Sequence, residues 1–515
     1  MVIDLTFFRR GLVLSGVFSL LVGFTSDFAL AQYNDIVRGN VSEDGVQSTG
    51  GASASPDITN AGDIVVFESE ATNIVASDSN GFADIFLYDI SGETPERIST
   101  TTSGGDLNGN SRNGVVAGDD SNLVAYETDA DNAVAGDSND SSDIILHDRS
   151  DSMSPNSRIS VTSGGVQGDG DSTNPAISDD GAFVVFESVA TNLVAGDSNS
   201  ASDIFLRDVA MEETTRISVN TVGTQGNGAS RNPSIDGDGN IVVFESDASN
   251  LVGGDGNESS DIFVRDIDAG TTELVSQNTA GSIGNADSSH PSVSADGTKV
   301  AFQSLADNLV SGSAAVSQIY VRDLTGETTV LVSQSSVGSS GNGDSIRPVI
   351  SPNGRYVAFE SSADNLVAGD INGASDIFVY DLTTEKLERV SVNGIGAQGD
   401  NDSLFPVISE DGHFVAFGSK ASNLVAGDSN NLQDIFIQNI ECLVTLPDDI
   451  TFTDTDGDST LNCDDECGLD SAKSEGGQCG CGVADTDSDS DGTADCSDGC
   501  PSDIEKVSAG SCGCG

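Results

Sequence analysis

A segment of about 58 residues is repeated seven times between Pro56 and Ile440, and this repeat constrains the fold more than any other feature of the sequence. Each copy opens on a short apolar motif and a turn, continues as an alternating strand, and reaches two further strands through a long polar loop. In one copy these pieces are residues 348–351, 352–354, 356–361, 376–381 and 388–392. A fixed period in this range is typical of solenoids, propellers and arrays. Because each copy holds four short strands and no helical periodicity, the repeat predicts a propeller blade.

The two ends of the repeat region complement each other. The copies start near Pro56, Gly114, Pro175, Pro233, Pro291, Pro348 and Pro406, and the seventh copy lacks its last strand. Residues 36–42 resemble that missing strand, which in the third copy begins at Arg216. We therefore predict that residues 33–55 complete the last blade, which would close the ring and remove an exposed sheet edge. The predicted fold class is all-β, a seven-bladed β-propeller over residues 32–441 that is closed by an N-terminal strand.

The first residues have the pattern of an export signal. Arg9 and Arg10 precede an apolar run at 11–24, and Ala29 and Ala31 form a small-residue cleavage site. This pattern predicts a signal peptide over residues 1–31. The alternative is an uncleaved anchor, but the run is shorter than the ~20 residues of a membrane span. We expect an exported protein, periplasmic, at the cell surface or extracellular, with no membrane span after signal cleavage.

The formal net charge of −63 limits the possible partners. Such a chain repels phosphate backbones and anionic lipids, so we expect no nucleic acid partner. Cation binding by carboxylates and solubility in a salty medium both remain compatible with this charge. Disorder is a third interpretation, but the regular β-period and the repeated Phe, Ile and Val argue against it over most of the chain.

The long loops of the predicted blades lie on one face. We call the strands of a blade A to D from the central channel outward. The A–B turns are tight and carry Asp-Gly or Asn-Gly, which suit short hairpins. The B–C loops and D–A links are long and polar, and the alternating strand direction places both on the same face, here called the loop face. Binding sites favour such loops on a rigid scaffold.

The segment from Pro348 to Ser361, followed by 376–381, resembles the β-propeller repeat of the TolB family. The resemblance covers roughly residues 33–441. It implies a propeller fold and the binding of a protein or ligand. It does not imply TolB's own role, because the extra N-terminal domain of TolB has no counterpart here and the B–C loop is longer.

The B–C loops carry a repeated Gly-Asp-x-Asn-x-x-x-Asp pattern, as at Asp197, Asn199 and Asp203. Blade five breaks the pattern and has no carboxylate between Ser311 and Gln318. The oxygens of such a loop can bind calcium weakly. The alternative is structural, because Asp and Asn cap turns by accepting bonds from their own backbone. We favour the structural interpretation, since three side chains supply fewer oxygens than the ~6–8 that calcium takes.

The C-terminal tail consists of two Asp- and Cys-rich units at residues 450–515, after a linker at 442–449. In the second unit the spacing of the acidic residues predicts a calcium loop. Its candidate ligands are Asp487, Asp489, Asp491, Thr493, Asp495 and Asp498. The first unit has Ser459 where the loop needs its turn glycine, so we expect weaker binding there. Its candidates are Asp454, Asp456, Asp458, Asn462 and Asp465.

The cysteines of the tail repeat with identical spacing in both units. They are Cys463, Cys467, Cys479, Cys481, Cys496, Cys500, Cys512 and Cys514. In an exported protein such an even, dense set predicts disulfides, with the pairing left open and Cys442 as the odd residue. A zinc cluster and a stapled linker that binds nothing are the alternatives. The tail resembles the thrombospondin type 3 repeat, which implies calcium binding and little regular secondary structure.

The sequence contains no familiar catalytic motif. The three histidines, His147, His290 and His413, fall in three different blades at different points of the repeat. The carboxylates repeat almost identically, whereas catalysis usually needs one cluster of unlike groups. We therefore predict a protein that is not an enzyme: an exported, calcium-binding, non-catalytic binding or adhesion protein whose loop face engages a protein or a glycan. The alternatives are a polysaccharide hydrolase or lyase acting at the channel, and a structural envelope component.

Overall fold

The computed structural model describes residues 36–440, which form seven four-stranded antiparallel sheets. The sheets are the blades of a β-propeller, so the predicted all-β fold and the number of blades are confirmed. Blades one to six each use four consecutive strands, and blade seven uses the last three strands together with the first. Residues 36–440 contain no helix that is long and apolar enough to cross a membrane.

The strand bounds follow the repeat from blade to blade. Blades one to three are β2 (Ser53–Ile58), β3 (Ile64–Ser69), β4 (Asp84–Asp89), β5 (Thr94–Arg97); β6 (Ser111–Val116), β7 (Leu123–Thr128), β8 (Asp143–Asp148), β9 (Asn156–Arg158); and β10 (Ser172–Ile177), β11 (Phe183–Ser188), β12 (Asp203–Asp208), β13 (Glu213–Arg216). Blades four and five are β14 (Ser230–Ile235), β15 (Ile241–Ser246), β16 (Asp261–Asp266), β17 (Thr271–Leu274); and β18 (Ser288–Val293), β19 (Lys299–Ser304), β20 (Gln318–Asp323), β21 (Thr328–Leu331). Blades six and seven are β22 (Ser345–Ile350), β23 (Tyr356–Ser361), β24 (Asp376–Asp381), β25 (Lys386–Arg389); and β26 (Ser403–Ile408), β27 (Phe414–Ser419), β28 (Asp434–Asn439), β1 (Ile36–Arg38).

The ring is closed by the N-terminal strand. β1 pairs antiparallel with β28 and places Val37 opposite Ile437. Just after β1, the buried Asn40 donates from Nδ2 to Asp434 Oδ1 at 2.7 Å and accepts from the backbone N–H of Ile435 at 3.0 Å. In the other blades a serine occupies the same place, so an asparagine replaces the repeated hydroxyl where the chain ends meet. The predicted closure is present.

The inner strands begin three residues earlier than the sequence suggests. The expected start of the first copy is Pro56, whereas β2 begins at Ser53. A register shift interrupts the pairing of every inner strand, for example between Thr173 and Ala176. This bulge breaks the alternation of side chains and hides the polar first half of the strand from a period-two search.

The core lies between adjacent blades and combines aliphatic side chains with aromatic pairs. In blade three, Phe186 on strand B and Phe205 on strand C have ring centroids 5.9 Å apart and are fully buried. Five of the other six blades carry the same kind of pair, and blade two has Tyr126 alone. These rings bury large apolar areas and pack each blade against its neighbour.

Candidate functional site

The seven inner strands surround a central channel with a cavity of about 410 Å³ near its loop-face end. Each blade contributes the same three-residue step to the wall. The middle residue of the step is a proline in six blades and Gly114 in blade two; the prolines are Pro56, Pro175, Pro233, Pro291, Pro348 and Pro406. The wall is therefore mostly apolar, and its chemistry depends on the residues just before and after these positions.

The residue before each of these positions has a left-handed backbone. These seven residues, here called the channel ring, have φ angles between 48° and 57°; they are Ser55, Asn113, Asn174, Asn232, His290, Arg347 and Phe405. This conformation costs roughly 1–2 kcal/mol for most residues and is best tolerated by asparagine and aspartate. Strained backbone held by the surrounding fold is concentrated at functional sites. The ring is thus the first candidate site in the propeller.

Hydrogen bonds between blades hold the ring in this conformation. The backbone N–H of Asn113 donates to Glu68 Oε2 of the preceding blade at 3.2 Å, and the N–H of Phe405 donates to Glu360 Oε2 at 3.1 Å. In blade six, the N–H of Arg347 donates to an amide instead, at Gln303 Oε1. Burial behind the ring raises the pKa of Glu68 and of Glu360.

The ring is chemically asymmetric. Blades two to four present asparagines, whereas blades five, six and seven present His290, Arg347 and Phe405. Arg347 donates from Nη1 to Glu360 Oε1 at 2.7 Å, and its guanidinium carbon lies 4.5 Å from the centroid of the Phe405 ring. His290 Nδ1 is buried without a hydrogen-bond partner among the described residues, and burial lowers the pKa of this histidine. Three unlike side chains therefore stand together on one side of the channel.

Sequence reasoning missed this ring. His290 is one of three histidines at different points of the repeat, and its place in the ring emerges only from a comparison of the residue before each repeated proline. That comparison is the signal that would have found the ring, because the position changes from Asn to His, Arg and Phe while its surroundings repeat.

The far end of the channel, on the face of the A–B turns, is narrow. Six backbone hydrogen bonds join successive turns around this end, for example from Asp179 N–H to Gly237 O at 3.1 Å and from Glu410 N–H to Asn60 O at 3.0 Å. The side chains of Asn60 and Asp179 lie over Gly118, where an added Cβ would come within 2.6 Å of both. The wider of the two channel cavities therefore lies on the loop-face side of these turns.

The B–C loop motif forms an internal hydrogen-bond network. In blade three, Gln225 donates from Nε2 to Asp197 Oδ1 at 2.7 Å and to Asp203 Oδ2 at 2.8 Å. Arg216 Nη1 lies 3.6 Å and 3.5 Å from the same two carboxylates. Asn199 accepts at Oδ1 from the N–H of Ala201. The bond from Ala201 to Asn199 is the kind of side-chain-to-backbone bond that the structural interpretation predicts. Calcium binding by Asp197, Asn199 and Asp203 stays a prediction. Within residues 36–440, no group of three or more His, Cys, Asp or Glu side chains is arranged to hold a metal ion.

Blades four and five vary this network. Leu274 and Leu331 stand where five other blades have arginine. In blade five the carboxylates are absent as well, and Gln318 instead accepts from Ser333 Oγ at 2.6 Å and donates to Gly341 O at 2.9 Å. Blade four keeps Asp255 and Asp261, and burial raises the pKa of Asp261 to about 6. The broken loop pattern of blade five therefore accompanies the loss of its arginine.

The remaining candidates lie outside the described residues. These are the signal peptide, the calcium-ligand candidates of both tail units and the eight tail cysteines, Cys463, Cys467, Cys479, Cys481, Cys496, Cys500, Cys512 and Cys514. Calcium binding and the disulfides there stay predictions.

No protein family model and no curated protein matches the chain. The chain does match solved structures. An oligogalacturonate lyase from Vibrio parahaemolyticus is 13% identical, with a TM-score of 0.47, and the match covers 79% of this chain and 98% of the lyase. TolB from Acinetobacter baumannii is 15% identical, with a TM-score of 0.35, and the match covers 74% of this chain and 81% of TolB. An acylaminoacyl peptidase from Pyrococcus horikoshii is 9% identical, with a TM-score of 0.45, over 76% of this chain and 51% of the peptidase.

These similarities correct one prediction. The statement that the chain is not an enzyme is wrong as a conclusion from this architecture, because lyases and peptidases are among the proteins with similar propellers. At such low identity the similarity concerns the fold alone and assigns no activity. The propeller fold implied by the TolB resemblance is confirmed by the seven sheets themselves.

Proposed function

We propose that this chain is an exported, calcium-binding protein that engages a protein or a glycan through the loop face of its propeller. The observation that carries the proposal is the asymmetric channel ring, with His290, Arg347 and Phe405 grouped on one side. Repeated structure alone would make all blades alike, and blade-specific side chains at the accessible end of a rigid channel are what selective recognition needs.

The state of Arg347 supports binding at this place. Its side chain is 37% exposed, yet Glu360 and the Phe405 ring hold the guanidinium from two sides. A donor that is already oriented loses little conformational entropy when a ligand arrives. The neighbouring cavity is apolar and of a size that fits a short chain segment or a small sugar.

Export and calcium are the other two parts of the proposal. The signal-like segment at residues 1–31 supports export, and the carboxylates of the tail support calcium binding. Residues 36–440 provide no observation that favours a hydrolase, a lyase or a purely structural component over binding.

The test uses a variant that the protein itself suggests. His290→Asn, Arg347→Asn and Phe405→Asn together give blades five to seven the ring residue of blades two to four. Because asparagine tolerates the left-handed backbone, this variant is expected to fold with nearly unchanged stability. Ligands are first selected on the wild-type protein from a soluble-polysaccharide microarray and a displayed peptide library.

We expect the selected ligands to lose at least tenfold in affinity for the triple variant, as measured by calorimetry. The matched control is Met211→Ser, which changes a residue that is 75% exposed in the turn between β12 and β13, on the face opposite the loop face. Ligands that bind the triple variant as tightly as the wild type would refute the proposed site.

A further inference from the structure

Two acidic side chains line the channel among the described residues, Asp57 and Asp179, and the fold does not require the charge of Asp57. Asp57 follows Pro56 and borders both the wide cavity and a second cavity of about 180 Å³ below it. The corresponding residues of the other blades are uncharged; they are Val115, Ala176, Ser234, Ser292, Val349 and Val407. Asp57 is thus the acidic exception among the seven residues at this level of the channel.

The local structural role of Asp57 is performed elsewhere by a neutral residue. Asp57 Oδ2 accepts a hydrogen bond from the backbone N–H of Val116 in the next blade at 2.8 Å. In blade four the hydroxyl of Ser234 accepts the equivalent bond, from the N–H of Val293 at 3.2 Å. Valine and alanine also occur at this position. The hydrogen bond to the next blade therefore needs at most a hydroxyl as its acceptor. The negative charge of Asp57 is not required for it.

No lysine or arginine within residues 36–440 forms an ion pair with Asp57. Asp57 is half-buried in the channel wall, and burial raises the pKa of its carboxyl group to about 6. An unpaired carboxylate in such a place is costly, and a cation that entered the channel would relieve this cost.

The surroundings of the channel favour a cation over an anion. Behind the channel ring stand the carboxyl groups of Glu68, Glu127, Glu187 and Glu245. Arg347 is the one cationic side chain among the lining residues, and Glu360 neutralises it. With a net charge of −63, the whole chain attracts cations and repels anions.

We propose that the channel binds a primary ammonium group carried on a slim aliphatic stem, with Asp57 as its counter-ion. The stem would pack against the apolar side chains at the same level, such as Val115, Val349 and Val407. A lysine side chain of a protein has this group, whereas an amino sugar has the ammonium directly on its ring, without the stem. The inference deepens the proposed function, because such a group enters through the same loop-face opening.

The test is a calorimetric titration of the full chain with n-butylammonium, with n-butanol as a neutral probe of the same length. We expect n-butylammonium to bind and Asp57→Asn to weaken it by about tenfold to a hundredfold, as for the loss of a charged hydrogen bond. Asp57→Asn keeps an oxygen for the bond from Val116. The matched control is Ser234→Val, which changes the same level of the channel without a charge and is expected to bind normally.

The pH dependence provides a second readout. Asp57 must be ionised to bind an ammonium ion, so binding is expected to strengthen between pH 5 and pH 7 in the wild type and to stay constant in Asp57→Asn. The other titratable groups of the channel are His290 and Arg347 above Asp57 and Asp179 below it. His290→Asn, which leaves Asp57 in place, is expected to keep the pH dependence.

Two results would overturn the inference: equal affinity of the wild type and Asp57→Asn for n-butylammonium, or equal affinity of the wild type for n-butanol and n-butylammonium. Titrations with acetyl-lysine amide and with glucosamine then separate the two sources, since tighter binding of the first indicates a protein and of the second a glycan. If no amine binds but the triple ring variant still loses its selected ligands, this inference fails while the proposed function stands.

Discussion

The buried charge network of blade two offers a prediction in which the protein supplies its own control. Arg158 Nε lies 3.0 Å from Asp143, and Arg158 Nη2 lies 3.2 Å from Asp137. All three side chains are at most 10% exposed. Leucine occupies the position of Arg158 in blades four and five, so Arg158→Leu fits the local shape. The substitution therefore removes charge with little change in packing.

The expected cost follows from the two carboxylates left behind. Removing one partner of a buried ion pair typically destabilises a fold by about 3–5 kcal/mol. We expect about 3 kcal/mol at pH 8, because Gln167 still donates to both Asp137 and Asp143. Burial already raises the pKa of Asp143 to about 6. A carboxyl group whose pKa is raised on folding contributes stability at low pH and loses it as the pH rises through the folded value. Without Arg158 this pKa rises further, so the cost should shrink by about 1–2 kcal/mol at pH 5.

The rescue is a transplant from blade five. Its neutral set has Ser313, Gln318, Leu331 and Ser340 where blade two has Asp137, Asp143, Arg158 and Gln167. Replacing a buried ion pair by well-packed neutral residues is often neutral or stabilising. We expect the fourfold variant to recover to within about 1 kcal/mol of the wild type. Urea unfolding at pH 8 and pH 5, followed by circular dichroism, measures all three proteins.

Two outcomes would refute this reasoning. A cost of Arg158→Leu that is below about 1 kcal/mol at pH 8 would mean that the guanidinium does not stabilise the buried carboxylates. A fourfold variant that is less stable than Arg158→Leu alone would mean that the blade-five set works only with the shorter loop of its own blade.

Three further predictions test other parts of the structure. Leu274→Arg gives blade four the guanidinium that faces the carboxylate pair in five other blades. We expect it to raise the free energy of unfolding, measured in urea, by about 1 kcal/mol. A lower stability would contradict the equivalence of the blades. The melting temperature in calorimetry is expected to rise from pH 7.5 to pH 5, since a raised pKa means that protonation favours the folded state; the groups with a pKa raised to about 6 are Asp57, Asp84, Asp143 and Asp261. A falling melting temperature over that range would contradict the direction of these shifts. In the tail, Asp487→Ala with Asp489→Ala should abolish the tighter calcium site in a calorimetric titration, and Asp454→Ala should affect a weaker one; unchanged calcium heats would remove calcium from the proposal.

The sequence predicted those parts of the molecule that repeat. Tyr356–Ser361 and Asp376–Asp381 fall where their alternating pattern places them. The short outer strand was less accurate: the expected range was 388–392, whereas β25 covers Lys386–Arg389. The outer edge has a weak pattern because one of its faces is exposed, so tertiary contacts decide where the strand begins.

The candidate site was less predictable, since its residues are far apart in the sequence. Ser55 and Phe405 belong to the first and last blades and become neighbours in the channel wall only when the ring closes. The left-handed backbone of the ring depends on a hydrogen bond from the neighbouring blade, as at Asn113 and Glu68. A local sequence pattern does not specify which residue of the neighbouring blade accepts this bond.

The number of blades, the strand order and the closure follow from the repeat, because a constant period with alternating apolar residues specifies each blade locally and leaves one strand to be supplied by residues 36–38. The importance of a departure from the repeat depends on where the folded blades place it. The change to leucine at residue 274 and the change to aspartate at residue 57 look alike as substitutions in a repeat. Leu274 lies in the outer strand β17 and packs against the core, whereas Asp57 lies in the channel wall, where seven blades converge and burial raises the pKa of its carboxyl group.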